Sequence, residues 1–356
     1  MSRGISVGAF FLVLQYGLFM FVYPQSIIQS QSSGHWLVIV IGWLIQGALL
    51  RLLVGGLRED KTDLLAKFQH AGTWIRLCFV WPLIIFNLMA IGVMIRGHAQ
   101  TLSMLYLPST PLWVLFALLL VTALSIAYAD SDSLLRLALV IGCFGIPLML
   151  FSFLAALRYG NYLMIFPLRP TLAFLHEPKI LPSIIAFVNV CGLIGFFGPY
   201  SASAKRWLWG AWLVSLFLFL ANVYLPLSVL GQEVVEDLRF PLIVLLDTVR
   251  VKWFFFDRIS LFYIMTIMFS TLINLSGLLW LTRQLALNSS FVPRLITNPA
   301  VMASLAIVVA YSIPTLEALE HQLRWGGPLR LGMLLILALI AGYYRNRTKV
   351  GGLPRA

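Results

Sequence analysis

The chain has 356 residues, 60% of them hydrophobic and 11% charged, which is too apolar for an ordinary water-soluble domain. Its net charge of +12 would suit a nucleic-acid binder. However, the basic residues gather at the ends of long uncharged stretches, which excludes nucleic acid and makes an anionic lipid bilayer the expected partner.

In chain order, ten stretches read as membrane-spanning helices: 5–28, 36–57, 74–96, 111–129, 135–157, 180–202, 207–231, 258–284, 297–316 and 327–344. A span needs roughly 20 apolar residues. The tenth run is shorter and becomes adequate with its flank. None alternates apolar and polar residues as barrel strands do, and backbone in hydrocarbon must satisfy itself. The expectation is therefore an all-α membrane protein, 1–356, forming a single integral membrane domain. The first run is too long for the apolar region of a signal peptide and is expected to be retained. Cys78, Cys143 and Cys191 fall inside predicted helices and give no disulfide framework.

Three connections are longer than the rest. The segment 58–72 is charged and has a helical look. The segment 158–179 carries Pro167, Pro170 and Pro178. The segment 233–258 is polar but holds two apolar pieces, 240–246 and 253–256, too short to span; they read as interfacial or re-entrant elements. With ten crossings and a cytoplasmic N-terminus, the cytoplasmic side takes 15 basic and 5 acidic residues and the other side 10 and 8, a net +10 against +2. Basic residues favour the cytoplasmic side, so both termini are expected there.

The ten helices divide into two sets of five. The first helix of each set is the one most interrupted by Gly and Pro: LQYGLFMFVYPQS, with Gly17 and Pro24, and FVNVCGLIGFFGPYS, with Gly192, Gly195, Gly198 and Pro199. Broken helices at matching positions point to an inverted-repeat transporter fold, and an odd number of helices per half inverts the second half. At such a break, half-helix N-termini attract a carboxylate, and freed carbonyls attract an ammonium or a cation. Either break alone fits ordinary packing of membrane helices; the two together point to an amino-acid site near the bilayer midplane. Its expected ligand-binding residues are Gly17, Leu18 and Phe19 on the first helix and Asn189, Gly192 and Gly195 on the sixth. Asn87 and Ser270 are secondary candidates. Asn222, Asn274 and Thr271 read as interhelical hydrogen-bonding residues, with Ser270 and Thr271 a weak sodium pair.

No Asp, Glu, Lys or His sits at the predicted centre of a helix, which weakens proton-coupled transport. The five His residues have no metal-ligand spacing, and no Gly-rich phosphate loop follows a strand. Neither an enzyme nor a cofactor is expected.

Four stretches resemble the B-type subunits of bacterial spore germinant receptors, the spore-germination permeases of the amino acid–polyamine–organocation superfamily. Leu14–Ser26 is similar to that family's Q-x-G-x-G-I-L-x-x-P opening, with Gln15, Gly17 and Pro24 in place. Leu107–Trp113, LPSTPLW, is similar to its LP-x-TP entry to the fourth helix. Asn161–Pro167, NYLMIFP, resembles its N-x-x-N-x-x-P loop. Phe240–Arg258 resembles its YP-x-I-x-L-x-R … F-x-E-R segment. The chain departs in having Phe19 at the second Gly of the opening, Asp257 for a usual Glu, and no Glu in the sixth helix. The resemblance implies a LeuT-like 5+5 inverted repeat with broken helices 1 and 6, in the inner membrane of the bacterial spore. It implies a nutrient germinant receptor subunit that binds a small amino-acid-like nutrient and triggers germination, beside an A-type membrane subunit and a C-type lipoprotein. The alternative is a secondary transporter, a permease of amino acids or amines.

Overall fold

A computed structural model describes residues 3–17, 23–56, 73–177, 180–198, 200–249, 258–289 and 292–349. The charged segment 58–72, with its expected helix, lies outside them, as do Leu18 and Phe19. The helices are α1 (Arg3–Tyr16), α2 (Tyr23–Gln29), α3 (His35–Gly56), α4 (Thr73–Leu105), α5 (Leu112–Ala127), α6 (Ser131–Leu157) and α7 (Ile180–Phe196). They continue as α8 (Ala202–Leu230), α9 (Gln232–Asp237), α10 (Pro241–Thr248), α11 (Ser260–Leu287), α12 (Pro299–Ser312) and α13 (Leu316–Lys349). Short 3-10 turns form at Tyr162–Ile165, Ala173–His176 and Arg294–Thr297.

The ten expected spans need correction. Among the described residues five helices are long and apolar enough to cross a membrane: His35–Gly55, Leu77–Leu105, Ser131–Leu157, Ala202–Leu230 and Ser260–Leu287. A sixth arises only if Pro299–Ser312 and Leu316–Gln322, bent by 114°, count as one. Over the described residues α1 has 14 residues and stops at the Gly17 turn, α5 has 16 and α7 has 17, against the roughly 20 that a perpendicular span needs.

Three boundaries move, one through a distant partner and two through a local proline. The third predicted helix was to end at 96, but α4 continues to Leu105. Arg96 does not end it, because its guanidinium folds in and donates to the Pro314 carbonyl at 2.7 Å. The ninth predicted helix, 297–316, stops at Ser312, and the tenth, set at 327–344, starts at Leu316. Pro314 disfavours helical backbone at the residue before it, and Ile313 is extended there, with φ −96° and ψ 99°.

The chain forms two compact units. The first comprises Met1–Gln46, Leu135–Val188 and Arg206–Thr271; the second comprises Gly47–Leu134, Asn189–Lys205 and Leu272–Ala356. In the first unit the Phe187 ring packs against Tyr23 and Phe219, with centroids 5.0 and 4.5 Å apart, and the Tyr23 hydroxyl donates to the Phe219 carbonyl. Trp43 of α3 stacks on Trp212 of α8 at 3.7 Å, and each indole N–H donates to the other's carbonyl oxygen. In the second unit α4 lies against α12 at Gly92, where a Cβ would stand 2.6 Å from Val309. Without a hydrophobic driving force between helices in lipid, small residues that permit close approach replace it.

The outward surface of the helices is apolar: Phe144 is 71% and Val121 66% exposed. Such a surface needs hydrocarbon around it. Buried hydroxyls mostly turn to their own helix, as when Thr101 donates to Gly97 and Thr271 to Ile267. The protein is an integral membrane protein with several apolar transmembrane helices.

Candidate functional site

The first predicted helix stops early: Gly17 forms a turn at the end of α1 (Arg3–Tyr16), and α2 (Tyr23–Gln29) is helical on the far side of residues 18–22. Pro24 lies in α2. Gly17 is buried. One turn earlier, the Ser270 hydroxyl of α11 donates to the carbonyl of Val13. Ser270 itself is fully buried. The first unit therefore brings two expected site residues, Gly17 and Ser270, to the same end of α1.

The sixth predicted helix behaves differently. α7 runs from Ile180 to Phe196, so Gly192 and Gly195 lie within helix and the expected break is corrected to a later position: the helix ends before Gly198, and α8 starts at Ala202. Backbone satisfaction explains it: within the helix both amides and the Gly192 carbonyl keep i→i−4 partners, while the Gly195 carbonyl faces the helix end, where the residue four ahead is Pro199 and has no N–H to offer. The helix ends only at Phe197, whose N–H bonds back to the Ile194 carbonyl, which also accepts from the Tyr200 hydroxyl. Asn189 lies on α7.

Asn87 and Gly192 do come together, in the second unit. They share a cavity of about 20 Å³ with Leu83, Leu278 and Leu334. That volume holds about one water, whereas small-molecule pockets run to roughly 300 Å³ or more. Asn87 is 5% exposed, and its Nδ2 has no hydrogen-bond partner among the described residues. Gly192 closes on α13, where a Cβ would stand 2.9 Å from a Leu334 methyl. Gly195 is looser, 3.5 Å from Leu53 by the same measure.

Sequence reasoning passed over one group. Gln15, noted only as a motif position, is fully buried, and neither its Oε1 nor its Nε2 has a partner among the described residues. Leaving a buried donor or acceptor unmade costs about 1–3 kcal/mol each. An amide in an otherwise apolar helix, two residues before the Gly that ends it, was the available signal. Two more groups appeared only with the longer α4. Arg96 and His98 are buried inside the Leu77–Leu105 span, where ionisable side chains are costly and are most often retained for function. The His98 ring bonds to the Met94 carbonyl at 2.8 Å.

The family model described as "Spore germination protein" matches residues 7–318. No curated protein matches the chain. Among solved structures, the chain resembles a substrate-bound, outward-open Na+-coupled sialic acid symporter. The identity is 12% and the TM-score 0.54, and the match covers 98% of this chain and 77% of that one. At that identity the likeness concerns the fold, a LeuT-type symporter architecture, and not the solute.

Proposed function

This chain belongs to the family of spore germination proteins, and from that premise we propose that it binds a small amino-acid-like nutrient and carries it as a secondary permease of amino acids or amines. Membership and fold make it a non-catalytic, germination-associated membrane protein with a transporter-like architecture. The observation that carries the proposal is the early end of the first helix, where α1 (Arg3–Tyr16) closes on a turn at Gly17 with the buried polar groups Gln15 and Ser270 beside it. Interrupted helices are where transporters of this architecture place solute and coupling ions. Gly17, Leu18, Phe19 and Ser270 form the proposed contacts on this seam. Asn87, Asn189, Gly192 and Gly195 are retained as proposed contacts in the second unit. Buried Arg96 and His98 also favour transport, since the sequence alone had offered no ionisable group within a span.

The second reading is a nutrient germinant receptor subunit in the spore inner membrane, beside an A-type membrane subunit and a C-type lipoprotein. Membership of a germination family favours it. The same site then acts by population shift: the nutrient binds one arrangement of helices better than another. A tenfold shift needs only about 1.4 kcal/mol of differential binding. Reconstitution of the purified chain in liposomes with labelled amino acids separates the two. Concentrative uptake driven by a proton or sodium gradient, with no partner subunit, is the expected result. Saturable binding without uptake would replace the permease with the receptor.

A further inference from the structure

The environment of Gln15 specifies the groups that must meet it. Seven residues separate Gln15 from Gly8, about two helical turns, so both lie on one face of α1. That face meets α8: a Cβ on Gly8 would stand 3.0 Å from the Trp207 carbonyl oxygen. Beyond the interruption, Tyr23 donates to the Phe219 carbonyl of the same helix. Gln15 is thus bracketed by two contacts with α8. Between those contacts, Ser215 and Trp212 of α8 are already committed. Ser215 donates to the Trp212 carbonyl, and the Trp212 indole donates to Trp43. The Val13 carbonyl on α1 accepts from Ser270. What remains is a fully buried carboxamide whose donor and acceptor are both unmet among the described residues.

We propose that Gln15 is a ligand-contacting, specificity-determining residue at the end of α1. Its Nε2 donates to the carboxylate, and its Oε1 accepts from the ammonium, of a small zwitterionic amino acid. The inference rests on the solute-binding reading above and adds the recognising side chain and the selection it imposes. A carboxamide offers one donor edge and one acceptor edge and carries no charge, so it matches a solute presenting both partners together. A solute with a single charge would leave that charge uncompensated in a buried site. The negative end of the α1 dipole adds to the preference for the ammonium there.

The test uses the purified full chain in lipid nanodiscs. Binding is titrated with each of the twenty L-amino acids and with ethylamine and propionate as single-charge probes. Wild-type protein is expected to bind at least one amino acid and neither single-charge probe. Gln15→Leu is expected to weaken that binding tenfold or more while its unfolding temperature stays level or rises, because an unmet polar group has been removed. Gln15→Met, unbranched and of similar length, carries the same test if Gln15→Leu does not fold. Gln15→Glu is expected to gain ethylamine binding, since its carboxylate repels that of an amino acid and pairs an amine. Unchanged affinity in the Leu and Met variants overturns the role of Gln15 and leaves solute binding standing. A wild-type protein that binds none of the amino acids overturns the solute-binding reading and this inference with it.

Discussion

At Gly92 a methyl group has no room. A Cβ would stand 2.6 Å from one side-chain carbon of Val309, 2.7 Å from another and 2.9 Å from the Ala306 carbonyl oxygen, which cannot rotate away. Gly92→Ala is therefore expected to destabilise the protein by about 1–3 kcal/mol, the usual cost of forcing extra volume into a packed seam. Gly195 supplies the contrast within the same unit. A Cβ there meets Leu53 at 3.5 Å, ordinary contact, inside a regular helix. Gly195→Ala is expected to stabilise by up to about 0.5 kcal/mol, because the glycine penalty of a helix interior is only partly felt in the last turn, where Gly195 sits. Thermal unfolding of both variants in one detergent checks the pair. A Gly92→Ala protein as stable as wild type would mean that α4 and α12 do not approach as described. Gly192 lies between these cases, since the 2.9 Å neighbour is the end of a Leu334 side chain that can turn.

Between elements, the Trp43–Trp212 pair joins α3 to α8 through a stack with the rings 6° from parallel and two reciprocal hydrogen bonds. Aromatic pairs contribute roughly 0.5–1.5 kcal/mol beyond their burial, and each net hydrogen bond about 1 kcal/mol. A double-mutant cycle with Trp43→Ala and Trp212→Ala removes the ring stack, while the hydrogen bonds, each to a backbone carbonyl that both substitutions leave in place, register in the single variants. Its coupling energy is expected at about 0.5–1.5 kcal/mol, and a value near zero would show that the two indoles act independently. This contact also illustrates what the amino-acid pattern could and could not disclose. Long apolar runs announced α3, α4, α6, α8 and α11, and Gly17 with Pro24 announced the interruption between α1 and α2. Those signals are local, since charge-free length and backbone freedom are properties of the segment itself. The end of α4 was not local, because Arg96 resembles a helix-end residue until the Pro314 carbonyl is available to receive it. Gly192 and Gly195 misled for the same reason: whether a helical glycine marks a break or a close approach depends on what packs against it, here Leu334 and Leu53. Gln15 was legible as an intramembrane amide, but its lack of a partner is a three-dimensional fact.

For the whole molecule the open physical quantity is orientation, and charge supplies an expectation. Basic side chains resist transfer to the far side of a membrane far more than acidic ones do, and the count over short connections and helix ends sets the topology. With ten crossings the split is +10 against +2. That split takes α1, α5, α7, α12 and α13 as crossings beside the five helices long and apolar enough to span. Arg96, moved into the interior of the Leu77–Leu105 span, was counted on the less basic side, so removing it lowers that side to +1. The expectation is that both termini and the segment 58–72 are cytoplasmic and that the loop following α6 lies opposite. Single cysteines in a background without the native three test this, placed by Thr62→Cys, Val350→Cys and Tyr159→Cys. Tyr159 is 55% exposed in that loop, so its label site is open. A membrane-impermeant maleimide applied to intact cells is expected to modify position 159 alone, and positions 62 and 350 only after permeabilisation. Labelling of 62 and 350 in intact cells, with 159 protected, would invert the protein. Labelling of 350 without 62 would instead show an odd number of crossings between them, so the experiment checks the crossing parity of the chain as well as its direction.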